Sequence, residues 1–219
     1  MKLKAVIFDL DGTLLDTLED IAISVNHVLT HFGKTPIALD RYRYLVGEGA
    51  YKLMQNVLPD ADDAKIKEAL NLFEKHYATQ YDKNTKPYEG IGKLLSFLQA
   101  RDCKMAILSN KPNAFTKKCA VKYLRTWHFE AVYGIREHIE RKPAADGVVA
   151  ILKELDLKPA ECLFVGDTKI DMMTAKNARM QSMGVLWGFR DEEELRSHDA
   201  TYIAASPAEA IKIIQTIEQ

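Results

Sequence analysis

The chain has 219 residues, 47% hydrophobic and 28% charged, with 30 basic against 31 acidic side chains and a formal net charge of -1. This is an ordinary globular composition, and the balanced charge gives no electrostatic case for a nucleic-acid or anionic-membrane partner. No apolar stretch approaches the ~18 residues of a membrane span, and the first apolar run meets Asp9 too soon for a secretory leader.

Cys103, Cys119 and Cys162 are odd in number and far apart, so they read as reduced, buried thiols of a cytoplasmic protein. The first element is the apolar run Val6-Ile7-Phe8, which predicts a strand buried on both faces. It ends in Asp9-Leu10-Asp11-Gly12-Thr13, and the carboxyl end of a strand is where open α/β sheets bind ligands. An Asp-Gly turn would account for Asp11-Gly12 but not for Asp9, which falls where the strand should still be buried. Thr17-Leu18-Glu19-Asp20 then has capping-box spacing. Leu18, Ile21, Ala22, Val25, Leu29 and Phe32 follow at helical intervals, with Gly33 as the stop. Two further helical stripes occupy residues 40–81, one through Val46, Ala50, Leu53, Met54 and Val57, the other through Ile66, Ala69, Leu70, Phe73 and Tyr77. No strand-like run is expected between 16 and 86.

From Pro87 onward strands and helices alternate. Pro87-Tyr88-Glu89-Gly90 introduces a helix bearing Ile91, Leu94, Leu95 and Leu98, and Met105-Ala106-Ile107-Leu108 is a strand ending at Ser109-Asn110-Lys111. A helix around Phe115, Cys119 and Leu124 leads to a strand at Ala131-Val132-Tyr133, and Lys142-Pro143 precedes a helix with Val148, Ile151, Leu152 and Leu155. Cys162-Leu163-Phe164-Val165 ends at Gly166-Asp167 before another helix, and 183–187 and 201–204 are the last strands. Such alternation predicts an α/β fold, a doubly wound parallel sheet with helices on both faces. Residues 1–15 and 87–219 form its Rossmann-like core, and 16–86 form an inserted all-helical cap.

Three strands therefore end in polar groups, Asp9/Asp11, Ser109/Asn110 and Asp167, on one edge of the sheet, and Lys142 can join them from a short loop. Clustered acids repel unless a hard cation lies between them, and Mg²⁺ favours carboxylate oxygens together with substrate phosphate. Asp9, Asp11, Asp167 and Asp171 are the candidate metal residues, with Asp171 one helical turn beyond Asp167 and able either to bind metal or to orient the lysine. Thr13, Ser109, Asn110 and Lys142 are the candidate phosphate-binding residues.

Asp9-Leu10-Asp11-Gly12-Thr13, Ser109-Asn110-Lys111-Pro112, Lys142-Pro143 and Gly166-Asp167-Thr168-Lys169-Ile170-Asp171 resemble, in order and spacing, the four motifs of the haloacid dehalogenase-like hydrolase superfamily. The helical insertion resembles its C1 cap. Val46-Gly47-Glu48-Gly49 and Gly184-Val185-Leu186-Trp187-Gly188-Phe189-Arg190 resemble the phosphoglycolate phosphatase group. The resemblance implies that Asp9 is a nucleophile forming an aspartyl-phosphate and Asp11 the acid, then base, of the two half-reactions. It implies Mg²⁺ on Asp9, the Asp11 carbonyl and Asp167, with Lys142 stabilising charge. Asp11 also argues against a dehalogenase, which lacks that second acid. One departure is Ala144-Ala145 where a proline-rich continuation is usual, which bears on loop shape rather than charge.

The expected activity is an Mg²⁺-dependent phosphatase of a small phosphorylated metabolite, 2-phosphoglycolate first, acting as a monomer or homodimer. A pyrophosphatase or a nucleotide or sugar-phosphate phosphatase is the alternative among enzymes, and an aspartyl-phosphate switch module the alternative outside them. Lys34 or Lys52 would be the Schiff-base lysine of a phosphonate hydrolase. Gly47, Glu48, Gly49 and Lys52, with Arg43, are the candidate specificity residues of the cap, small glycines letting backbone N–H groups approach a carboxylate. Gly47-Glu48-Gly49 reads equally as a plain turn. His27 and His31 have the spacing of a metal pair without a third ligand, Trp187 reads as a core or rim aromatic, and Asp191-Glu192-Glu193-Glu194 reads as a solvated helix start.

Overall fold

A computed structural model describes residues 3–217. Its elements are β1 (Ala5–Phe8), β2 (Leu15–Asp16), α1 (Leu18–His31), α2 (Leu39–Tyr42), α3 (Ala50–Val57), α4 (Asp63–Gln80), β3 (Lys86–Pro87), α5 (Ile91–Gln99) and β4 (Lys104–Pro112). They continue with α6 (Asn113–Tyr123), β5 (Ala131–Ile135), α7 (Asp146–Leu155), β6 (Cys162–Gly166), α8 (Lys169–Asn177), β7 (Gln181–Val185), α9 (Glu192–Ser197), β8 (Tyr202–Ala204) and α10 (Pro207–Ile217).

Six strands form one sheet in the order β5-β4-β1-β6-β7-β8, with every pairing parallel. Strand residues alternate between faces, and β1 shows why its run is apolar throughout. Val6 and Phe8 pack with α5 and α10 on one side, while Ala5 and Ile7 pack with α7 and α8 on the other. The register sets the site. Phe8 lies opposite Ile107 of β4 and Val165 of β6, so Asp9, Ser109 and Asp167 all leave the sheet within two residues of one level.

Helices α1 to α4 build a separate apolar cluster around Val25, Leu29, Tyr42, Met54 and Tyr77, joined by Phe115 and Phe189 of the core. Three expectations need correction. The segment carries strand at both of its roots, because β2 and β3 pair antiparallel with Leu15 opposite Pro87 and Asp16 opposite Lys86; two-residue bridges carry no periodicity to read. Strand β4 does not stop at Leu108 but runs to Pro112, with a register shift between Leu108 and Pro112. The capping box of α1 does not form. The Thr17 hydroxyl is buried without a partner, and the Asp20 carboxylate turns instead to the backbone N–H groups of Asn84 and Thr85.

Candidate active site

Asp9, Asp167 and Asp171 are all buried, and one oxygen from each lies within 4.8 Å of the others. Asp9 Oδ1 accepts from the Leu10 N–H at 2.7 Å and faces Lys142 Nζ at 3.0 Å. Asp167 accepts from the Thr13 hydroxyl at 2.9 Å and the Phe189 N–H at 2.8 Å. Asp171 sits in the first turn of α8, where it and Thr168 cap the helix reciprocally. Its Oδ1 accepts from Lys142 Nζ at 2.6 Å, and its Oδ2 accepts from Thr168 at 2.8 Å (hydroxyl) and 3.0 Å (N–H).

Close packing maintains this arrangement. Gly12 has φ +84°, the left-handed region that glycine tolerates, and a Cβ there would lie 2.2 Å from Asp167 Oδ2. A Cβ on Gly188 would lie 2.3 Å from both Asp167 Cβ and the Gly12 carbonyl oxygen. Both glycines let the backbone close on Asp167.

The electrostatics follow from burial. Burial pushes the Asp9 carboxyl up to about 7, with Asp171 and Asp11 adding to the shift and Lys142 opposing it. Burial and the two neighbouring acids hold Asp167 well above the carboxylate range. Burial works against the Lys142 ammonium, but Asp171 and Asp9 outweigh it and keep the lysine charged. Three carboxyl groups around one ammonium cannot all stay ionised at neutral pH without a further cation. An all-oxygen donor set of this kind fits a hard divalent cation such as Mg²⁺.

The other residues singled out from sequence fall as follows. Ser109 is buried and lines a cavity of about 50 Å³ above Asp9 and Asp11. Asn110 also lines it, but its side-chain amide is engaged by backbone. Nδ2 donates to the carbonyls of Lys142 (2.9 Å) and Gly47 (3.1 Å), and Oδ1 accepts from the Lys142 N–H at 2.9 Å. Asn110 thus positions Lys142. The loop carrying Ala144-Ala145 closes through Ala144 N–H to the Arg141 carbonyl, and Asn177 holds the Pro143 carbonyl.

From the cap, Gly47 and Gly49 line the cavity; Glu48 and Lys52 are not among its lining residues. Arg43 donates to the Gly188 and Phe189 carbonyls, and Arg190 returns a bond to the Val46 carbonyl at 2.9 Å. Ile21, Val46, Ala50, Leu53, Phe73 and Tyr77 supply the cap walls. His27 stacks on His76 at 4.2 Å and His31 meets Phe32 edge-on. Among the described residues the acidic trio is the one cluster able to hold a metal. Trp187 is a rim aromatic whose indole N–H donates to the Thr13 carbonyl at 2.9 Å.

Sequence reasoning missed Lys111. It is buried, its Nζ lies 2.9 and 3.0 Å from the two Asp11 oxygens, and it donates to the Tyr77 hydroxyl at 2.7 Å. The signal was available in the motif itself, because Lys111 directly follows Ser109 and Asn110, and all three line the cavity. Ending the strand at Leu108 hid it.

A parallel sheet presenting buried acids and a buried lysine beneath a helical cap defines a class of hydrolase. The family model described as haloacid dehalogenase-like hydrolase matches residues 6–185, and the chain belongs to that family. It is 32% identical over 192 residues to a phosphoglycolate phosphatase of Pseudomonas putida, covering 85% of this chain and 70% of that protein. It is 30% identical over 213 residues to one of Aquifex aeolicus, covering 97% of each. A solved structure from Lactobacillus delbrueckii subsp. bulgaricus superposes with a TM-score of 0.92 at 28% identity, covering 98% of this chain and 99% of that one. The chain is therefore an enzyme, a phosphoric monoester hydrolase acting on a phosphorylated small molecule, and the switch-module alternative is set aside. No helix among the described residues is long and apolar enough to cross a membrane.

Proposed function

We propose that the chain hydrolyses 2-phosphoglycolate with Mg²⁺ through an aspartyl-phosphate on Asp9. The observation that carries this reading is the convergence of the buried Asp9, Asp167 and Asp171 beside Lys142, an arrangement that supports phosphoryl transfer. The relatives named above carry the same substrate in their names.

In this reading an Asp9 oxygen attacks phosphorus, the bond to the leaving oxygen breaks, and Asp11 gives its proton to the departing alkoxide. Water then attacks phosphorus and yields its proton to the Asp11 carboxylate. The bond to Asp9 breaks, returning the carboxylate and inorganic phosphate. Ser109 and Lys142 hold the phosphoryl oxygens. Asp171, with both oxygens engaged by Lys142 and Thr168, orients the lysine, and Thr13 orients Asp167 through its hydroxyl. Asp9, Asp167 and the Asp11 carbonyl would hold Mg²⁺, whose charge offsets that of the phosphoryl oxygens. The cap walls exclude bulk water from the acyl phosphate.

Steady-state kcat/KM with Mg²⁺ across 2-phosphoglycolate, pyrophosphate, a hexose phosphate and a nucleotide tests the assignment. The expected result is a preference for 2-phosphoglycolate of at least ~10²-fold, abolished in Asp9→Asn. A preference for pyrophosphate or nucleotide overturns the substrate, and phosphate release by Asp9→Asn at the wild-type rate overturns the mechanism.

A further inference from the structure

Among the residues lining the cavity, Lys111 alone is cationic, yet it does not stand free to receive a substrate anion. An ammonium has three donors, and Lys111 has three acceptor atoms within 3.0 Å, two on Asp11 and one on Tyr77. Its side chain is only 3% exposed and that of Asp11 13%, so these bonds have little competition from water.

Asp11 and Lys111 belong to the core, whereas Tyr77 belongs to α4 in the cap. The Tyr77 ring is fixed from both sides of that boundary. It stacks on Phe73 of the same helix at 5.3 Å and meets Phe115 of the core helix α6 edge-on at 5.1 Å. Its hydroxyl accepts from Lys111 across that boundary at 2.7 Å. A carboxylate offers about four acceptor sites, so the two that Lys111 occupies leave others for the proton Asp11 must carry.

We propose that Lys111 and Tyr77 are positioning residues for Asp11, Lys111 fixing the carboxyl by both oxygens and Tyr77 fixing Lys111 when the cap shuts. This rests on Asp11 as the proton carrier of the reaction proposed above. The arrangement makes the alignment of the acid conditional on closure, so that an open site carries a poorly aimed proton donor. Misplacement of a reacting group by about 1 Å costs on the order of 10²-fold, which sets the scale expected when Lys111 is removed.

The test is the rate of phosphoenzyme formation in rapid-quench experiments with two small substrates. The alkoxide leaving 2-phosphoglycolate needs a proton; the acetate leaving acetyl phosphate does not. Asp11→Asn should slow the first by at least ~10²-fold and leave the second nearly unchanged. Lys111→Met should reproduce that selectivity at about 10- to 100-fold. Tyr77→Phe, which keeps the ring and its packing, should reproduce it at about 3- to 10-fold, in kcat more than in KM. Equal slowing of both substrates in Lys111→Met and Tyr77→Phe overturns the proposal and leaves the two residues as packing. If Asp11→Asn itself fails to discriminate, the role of Asp11 falls instead, a different outcome from the first. Should Lys111→Met not fold, Tyr77→Phe decides alone.

Discussion

Replacing Asp20 with alanine tests what ties the two crossings between core and cap together. Asp20 is fully buried in the first turn of α1. Its carboxylate accepts from the Gln80 side chain at 3.1 Å, from the Asn84 side chain at 2.9 Å, and from the Asn84 N–H. It also accepts from Thr85, at 2.9 Å from the N–H and 2.8 Å from the hydroxyl. In Asp20→Ala the Gln80 and Asn84 amides can turn to water, but Thr85 is buried and its two donors lose their partner. At roughly 1–3 kcal/mol per orphaned buried donor, with some relief from hydroxyl rotation, the loss should be about 3 kcal/mol. Urea unfolding followed by circular dichroism measures it; with a slope of about 2 kcal/mol per M the midpoint should fall by about 1.5 M. Acid provides a second check. Burial alone would raise the Asp20 carboxyl, but the donors on Thr85 and Asn84 outweigh it and hold it below the ordinary carboxylate value. A depressed native value contributes stability above the unfolded value of about 4 and loses it as pH falls through the native one. The gap between wild type and variant should hold steady from neutral pH to about pH 5 and narrow below about pH 4. A loss under about 0.5 kcal/mol, or a gap that ignores acid, refutes the reasoning.

Gly12→Ala should fold, at a cost of about 1–2 kcal/mol for a side chain at positive φ. Its methyl group, built 2.2 Å from Asp167, should weaken Mg²⁺ binding by at least ~10-fold in titration calorimetry, since displaced ligand geometry costs about that much. Arg43→Ala removes the donor to the Gly188 and Phe189 carbonyls and should raise KM about tenfold while shifting Tm little; Arg43→Lys should restore only part, because an ammonium cannot span two carbonyls as a guanidinium does. Phe73→Ala removes part of the cavity wall. It should lower stability by about 3 kcal/mol and raise kcat/KM for a hexose phosphate relative to 2-phosphoglycolate, read from the same substrate panel.

The acids of the candidate site were legible because a carboxylate at the end of a strand buried on both faces has no packing reason to be there. Asp9, next to the apolar Phe8, drew attention by its position, and the structure brings it together with Asp167 and Asp171. The sheet was legible for a related reason: Val6 and Phe8 need an apolar neighbour on one side, Ala5 and Ile7 on the other, and only helices on both faces supply them. Partner choice was not legible. Asn110 has a side chain suited to phosphate, yet it bonds the backbone at Gly47 and Lys142, 63 and 32 residues away along the chain. Asp20 sits where a capping residue should, but two backbone N–H groups 64 and 65 residues on attract its carboxylate more strongly than the helix end does. A residue type states what a side chain can do, and the tertiary fold selects which of its options it takes.

The cap shows the same selection acting on the site itself. Its basic residues at 43 and 52 suggest a carboxylate clamp, yet the wall it lowers over Asp9 is apolar apart from the Tyr77 hydroxyl. Beside the Lys111–Tyr77 bond, cap and core are tied through main-chain carbonyls. Val46 and Gly47 of the cap accept from Arg190 and Asn110, and Gly188 and Phe189 of the core accept from Arg43. Carbonyls leave no trace in a sequence, so only the donors of this latch could be seen, and they could be mistaken for ligand-binding groups. The peptide between Gly188 and Phe189 belongs to both systems. Its carbonyl accepts from Arg43 of the cap while its N–H donates to Asp167. Because a peptide unit is planar and turns as one body, a cap that pulls on that carbonyl also moves the donor that aims Asp167.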